Sequence, residues 1–387
     1  MREELPLSGI RVIEFTHMVM GPSVGLILAD LGADVIKVEP KGGDQTRRLL
    51  GSGAGYFPMF NRNKRSVCLD LKSDAGKTAA IALVESADVL IENFRPGTLA
   101  RLGLGHEDFV ERHPGLIYCS AKGFLAGPYE KRTALDEVTQ MMGGLAYMTG
   151  PPGRPLRAGA SVVDITGGMF GAIGILAALE RRHRTGRGGE VKCALFETTA
   201  FLVGQHMAQE AVTGKAPRPM PERISAWAVY DVFETKMPDE QLFVGVVSDG
   251  QWKAFCEAFG LDALLDDASL ETNNQRVEAR DRILPVVRAC FAGMPREEAV
   301  DLLERLGLPF APIATPSDLF EDRHLAAGGL VDVTLDEGRQ TRLPGLPIEL
   351  DGTRMPCRLD LPQAGEHGAA LLREAGMDAA AIAAALD

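Results

Sequence analysis

Short apolar runs recur along the first two hundred residues, each followed by a longer apolar or amphipathic stretch. Residues 10–15 (IRVIEF) read as a β-strand, 23–31 as a mostly apolar helix ended by Gly32, and 34–39 (DVIKVE) as a second strand. Strand, helix and strand within about thirty residues is the pattern of a parallel βαβ unit. The alternation continues with strands at 66–69, 88–92, 115–120 and 190–195 and helices at 74–86, 134–147 and 169–180. A helix runs on to about residue 212. Helices after each short apolar strand predict an α/β protein whose parallel sheet is covered on both faces. Segment 169–180 carries only apolar residues and Gly before Glu180, so it is expected to be a buried helix.

The pattern then changes. Residues 213–225 are rich in Pro without periodicity and read as a linker after a first domain at 1–212. A smaller α+β domain is expected at 226–330, with a strand pair at 226–234 and 241–247 and helices at 250–259, 274–291 and 296–306. Strand-like segments return at 331–351, before an Ala-rich helical tail. A chain of 387 residues fits two domains.

Charge refines this picture. The formal charge of −12 argues against nucleic-acid binding. Residues 41–77 nevertheless carry a net +5, from Lys41, Arg47, Arg48, Arg62, Lys64, Arg65, Lys72 and Lys77 against three Asp residues. A basic zone on an acidic chain is either a solvated surface or a focus for a small polyanion. No apolar run approaches the roughly 20 uncharged residues of a membrane span, and the first residues lack a secretory pattern. Six cysteines without CxxC spacing suggest reduced core thiols, no disulfide and no metal, and a cytoplasmic location.

Candidate chemistry centres on Gly159-Ala160-Ser161-Val162-Val163-Asp164-Ile165-Thr166-Gly167-Gly168. Asp164 stands at the start of the long apolar helix. It reads either as a helix cap or as a carboxylate nucleophile held against backbone amides. In the first turn, His17-Met18-Val19-Met20-Gly21-Pro22 replaces G-x-G-x-x-G, so Glu39 at the end of the second strand does not complete a nicotinamide-dinucleotide fingerprint.

Several segments together resemble the class III CoA transferases, a family related to the α-methylacyl-CoA racemases. They are GIRVIEF at 9–15, Gly21-Pro22, GADVIKVEP at 32–40, FNRNKRS at 60–66, LDLK at 69–72, ADVLIENFRPG at 87–97, the Asp164 segment, TGRG at 185–188 and GEH at 365–367. The resemblance implies an interlocked homodimer. It also implies a large Rossmann-like domain built from both chain ends and acyl-CoA as a substrate, with no tightly bound cofactor. The CoA contacts it implies fall on Met18, Val19, Met20, Leu69, Lys72, Asn93, Thr98 and Arg101, with Lys41 as a phosphate partner one position beyond the family's basic residue. Asp164 matches the family's catalytic aspartate.

Such a carboxylate is ionised at neutral pH without a base to activate it, and its reactivity comes from positioning in a water-poor site. Gly159, Gly167 and Gly168 would let amides approach a developing oxyanion. The racemases have His before the Asp at 136, where this chain has Leu135, which cannot shuttle a proton. The reading is therefore an acyl-CoA:carboxylate CoA transferase, with a racemase or a silent CoA-binding protein as alternatives. Arg47, Arg48, Arg62 and Arg157 are candidates for the free carboxylate of a dicarboxylate acyl group, which suggests succinyl-CoA as donor. His17, Leu135, Asp136 and Gln140 are candidates for the pocket lining; the other reading of His17 is a polar loop residue, and of Asp136 and Gln140 the capping and packing of a helix.

Overall fold

The computed structural model describes residues 5–223, 225–237 and 239–387. Six parallel strands form the central sheet: β1 (Arg11–Phe15), β2 (Asp34–Glu39), β3 (Lys64–Cys68), β4 (Val89–Glu92), β5 (Ile117–Lys122) and β6 (Gly189–Ala194). Their spatial order is β3-β2-β1-β4-β5-β6. Val12 pairs with Val35 on one side and Val89 on the other, so β1 lies at the centre and the strand order reverses beside it. A doubly wound sheet binds ligands in the crevice that this reversal opens beyond the strand carboxyl ends.

Helices cover both faces. The helices named below are α1 (Met20–Asp30), α2 (Asp74–Glu85), α3 (Asp136–Met142) and α4 (Val162–Thr185). On one face Val12, Val35, Val89 and Ile117 pack with Val24 and Leu28 of α1 and Ile175 and Leu179 of α4. On the other, Ile13, Ile36, Val67 and Leu90 meet Leu83 of α2 and Leu371 and Leu372 of a C-terminal helix. Arg358 Nη2 donates to the carbonyls of Ala29 and Ala33 at 2.7 and 3.0 Å, and His367 N to that of Ser66 at 2.9 Å. Residues up to Pro221 and Arg323–Asp387 accordingly form one compact unit.

The second unit is Glu222–Asp322. Tyr230–Glu234, Gln241–Gly245 and Phe310–Pro312 make an antiparallel sheet. Phe233, Leu242 and Val244 pack there with Phe255, Val287, Phe291 and Leu303 from its helices.

Two expectations need correction. The helix at 134–147 is two, α3 and Leu145–Thr149, because Gly144 takes φ +84° and a Cβ at Gly143 would lie 2.4 Å from Thr199 Cγ2. The strands expected at 331–351 are present as antiparallel hairpins apart from the main sheet, and the helical tail follows as Gly368–Glu374 and Ala379–Leu386. The helix expected at 169–180 runs over Val162–Thr185 and is buried on one side only, with Met169 50% and Ile173 57% exposed. Gly167, Gly168, Ala172 and Ile175 share its buried face. By length and composition it is long and apolar enough to cross a membrane, but it is one such helix and its glycine face closes the core.

Candidate active site

At the switch point the chain leaves β1 through Thr16, His17 and Met18. Met18 adopts φ +61°, a left-handed conformation uncommon for a side chain of this size. The local structure holds it there. Met18 N donates to Thr46 Oγ1 at 3.1 Å, and Thr46 Oγ1 donates to Asp44 Oδ1 at 2.8 Å. The other Asp44 oxygen lies 3.1 Å from Lys37 Nζ, which donates to Thr16 O at 2.8 Å. Just past β4, Asn93 accepts His17 N at 3.0 Å and donates to His17 O at 2.9 Å. Burial works to raise the Asp44 carboxyl, but Lys37 and the Thr46 hydrogen bonds outweigh it and hold the group below its usual range. The half-buried His17 ring leans on Phe94 with centroids 5.4 Å apart. Burial lowers its pKa against the pull of Asp44, so the imidazole is neutral at pH 7.

This turn forms one wall of a cleft of about 990 Å³ that also takes in Lys41, Leu69, Lys72, Thr98 and Arg101. Lys41 and Lys72 are exposed and form no ion pair with the described residues. The cleft carries three cations, Lys41, Lys72 and Arg101, and three acids, of which Glu39 and Asp44 are paired with Arg47 and Lys37, leaving a positive excess that suits a ligand with several negative charges and a nonpolar body. Of the residues singled out in the sequence, His17, Met18, Lys41, Leu69, Lys72, Thr98 and Arg101 thus come together. Asn93 braces the turn from behind, and Val19 and Met20 are buried beneath it.

Asp164 sits in the first turn of α4 and is not part of the cleft lining. The N-cap residue Ser161 makes no capping bond. Asp136, at the start of α3, caps α4 instead: its Oδ2 accepts Val163 N at 2.9 Å and Asp164 N at 3.0 Å. Its Oδ1 accepts Gln140 Nε2 at 2.6 Å, and Gln140 Oε1 accepts Ala158 N at 2.9 Å. The reading of Asp164 as a cap is therefore replaced, because a different carboxylate does that work. The half-buried Asp164 carboxyl group forms no hydrogen bond with the described residues. Burial, and secondarily the Asp136 charge, push its pKa up to about 7, against the opposing pull of Arg157. Full ionisation at neutral pH, expected from the ordinary pKa of an Asp side chain, does not hold at this position.

The glycines after Asp164 serve packing. A Cβ at Gly167 would lie 2.8 Å from Met20 Cε, and one at Gly168 2.6 Å from Ser23 Cβ. The close approach lets α4 lie against α1, so Met20 joins the cleft turn to the helix that carries Asp164. Gly159 has open space around it.

Three of the candidate arginines have structural partners. Arg47 holds buried Glu39 through two bonds of 2.8 and 2.7 Å and stacks 3.8 Å over Phe57. Glu39 is thereby closed to any ribose. Arg62 is buried and pairs with Asp30 at 2.6 Å. Arg48 is engaged by the Gly42 carbonyl at 2.8 Å. Asp136 and Gln140 brace the loop and helix rather than standing open to a ligand, and Leu135 projects outward with 62% of its surface exposed. Thr46 and Asp44 were missed by sequence reasoning, and no local motif marks their hold on Met18 across 28 residues.

Fold and site together define a doubly wound α/β protein with a cationic switch-point cleft and a separate, unpaired carboxylate. The model of CoA-transferase family III matches residues 7–368, and the chain belongs to that family. It is 35% identical to the succinate–glutarate CoA-transferase of Agrobacterium fabrum and to the acetyl-CoA:oxalate CoA-transferase of Acetobacter aceti, with 95% of each chain covered in both cases. Among solved structures, a CAIB/BAIF family protein from Brucella suis superposes with a TM-score of 0.83 at 33% identity, over 96% of this chain and all of that one. The protein is a CoA transferase.

Proposed function

We propose that this transferase moves CoA from an acyl-CoA to a carboxylic acid through covalent intermediates on Asp164. An Asp164 oxygen attacks the donor's thioester carbon; the C–S bond breaks, leaving CoA thiolate and an acyl–aspartyl anhydride. The thiolate attacks the aspartyl carbonyl, expels the donor carboxylate and forms an aspartyl-CoA thioester. The acceptor carboxylate attacks that carbonyl in turn, giving a second anhydride, and the thiolate then takes the acceptor acyl group and frees Asp164. No proton is gained or lost overall, and the thioester energy is retained.

The observation that carries this reading is the Asp164 carboxyl, whose own amide is capped by Asp136 and whose oxygens have no partner among the described residues. A carboxylate that burial makes more basic is a better nucleophile than one in water. CoA bears its phosphates and its thiol at opposite ends of a long arm. A cationic cleft standing apart from the nucleophile is consistent with such a substrate, with Lys41, Lys72 and Arg101 toward the phosphates. Position 135 supplies no second acid or base, which speaks against racemisation. Asp164→Ala is expected to abolish CoA transfer while acyl-CoA binding persists; transfer at the wild-type rate by that variant would overturn the mechanism.

The exposed apolar side of α4, with Met169 and Ile173, and exposed Phe201, Met207 and Val212 nearby in sequence support the homodimer that the family resemblance implies. Six unpaired cysteines are consistent with a reducing, cytoplasmic setting.

A further inference from the structure

We infer that Glu14, Lys37 and Lys64 are positioning residues for the transfer reaction: two buried ammonium groups that share one carboxylate clamp both ends of the cleft turn, and so set the affinity for acyl-CoA. The inference rests on acyl-CoA as the occupant of the cleft. All three side chains are fully buried. Lys37 Nζ holds the entry to the turn, donating to Thr16 O at 2.8 Å. Lys64 Nζ, from β3, holds the exit, donating to Pro22 O at 3.0 Å. Between them lies Glu14 of β1. Its Oε1 and Oε2 accept Lys64 at 2.9 and 3.0 Å, and Lys37 stands 3.8 Å from Oε1. Asn61 Oδ1 also accepts Lys64, at 3.2 Å. Gly25 makes room in α1, because a Cβ there would lie 1.8 Å from Glu14 Oε2 and 3.1 Å from Lys64 Nζ.

None of the three lines the cleft, so they act through the turn. Apolar side chains often fill a core as stably as a buried ionic cluster does. What the ammonium groups add is direction: each aims N–H bonds at a turn carbonyl, and the left-handed Met18 lies between those two anchors. The charged groups facing Lys64 are Glu14 from β1, Lys37 from β2 and Asp30 from α1, the last paired with Arg62. Burial brings the Lys64 pKa down to about 8, against the pull of Glu14 and with Lys37 adding to the fall. A neutral amine has one N–H fewer for the same acceptors and no charge to offer Glu14. The clamp therefore loosens as pH rises through that value.

Desulfo-CoA tests this without chemistry, since it lacks the thiol that reacts and that would itself ionise. Its Kd is measured by titration calorimetry at about pH 7 and about pH 9.5, in wild type and in the double variant Glu14→Gln/Lys64→Met. That variant removes the pair without stranding a charge. Wild type should bind about tenfold more weakly at the higher pH, as the fraction of protein with an ordered turn falls. The double variant should bind about tenfold more weakly already at pH 7 and lose the pH dependence. Its loss should appear in KM for acyl-CoA, with kcat within about twofold of wild type, and its Tm should stay near wild type. A wild-type Kd that is flat with pH would overturn the clamp, and decides the matter alone if the double variant does not fold. A folded double variant with wild-type affinity, or with the pH dependence intact, would overturn it too. Wild type that binds no desulfo-CoA would instead remove the cleft as the CoA site, and the clamp with it.

Discussion

Replacing Asp164 by Asn should make the protein more stable at alkaline pH while destroying its activity. The folded state raises the Asp164 pKa from 3.8 to about 7, mainly by burial. An acid whose folded pKa exceeds its unfolded one destabilises the fold where it must ionise. The penalty is absent below the unfolded value, grows between about pH 4 and 7, and is complete above the folded value. Three units correspond to about 4 kcal/mol at 1.36 kcal/mol each. The site is half-buried, and screening reduces that ceiling to roughly 2 kcal/mol. Asn has the same shape and no charge, so Asp164→Asn should gain about 2 kcal/mol at pH 8.5, or roughly 4 °C in Tm for a unit of this size. At pH 4 the gain should vanish. Thermal melts of both proteins across this pH range read the difference directly. A variant no more stable than wild type at pH 8.5 would refute the picture of a carboxylate held against its own ionisation.

Asp136→Asn keeps an oxygen for the Val163 and Asp164 amides but removes the charge, so the acid limb of the kcat/KM profile should move below pH 7. A weaker cap should also cost about 1 kcal/mol in denaturation. Thr46→Val removes the hydroxyl that accepts Met18 N and is expected to cost about 1–3 kcal/mol; KM for acyl-CoA should rise in steady-state assays as the turn relaxes. Lys41→Ala and Lys72→Ala should each raise KM for acyl-CoA about tenfold with kcat little changed, and high salt should shrink the difference.

Much of the frame was legible because its signals are local. The strand DVIKVE was expected at 34–39 and is found over Asp34–Glu39, since an apolar run between Gly32 and Gly42 has few other solutions. Cleft residues such as Lys72 and Thr98 were reachable only through the family resemblance, and the fold explains why they meet, since a doubly wound sheet gathers its βα turns at one edge. What remained hidden depends on partners distant in sequence. Asp136 caps a helix that starts 26 residues later, and nothing near Asp164 could show that its amide was already taken. Arg47 and Arg62 look like free cations in sequence, but Glu39 and Asp30 neutralise them in the fold. An apolar helix such as α4 does not reveal which side will find a neighbour; Gly167 and Gly168 decide it by admitting α1.

The central claim is that Asp164 carries the group being transferred. Mixing the protein with acyl-CoA, reducing with borohydride and mapping peptides by mass spectrometry reads this directly. The account predicts conversion of the Asp164 side chain to the alcohol, dependent on acyl-CoA and absent when acyl-CoA is omitted. Full transferase activity with an unmodified Asp164 peptide, or reduction at another carboxylate, would contradict it.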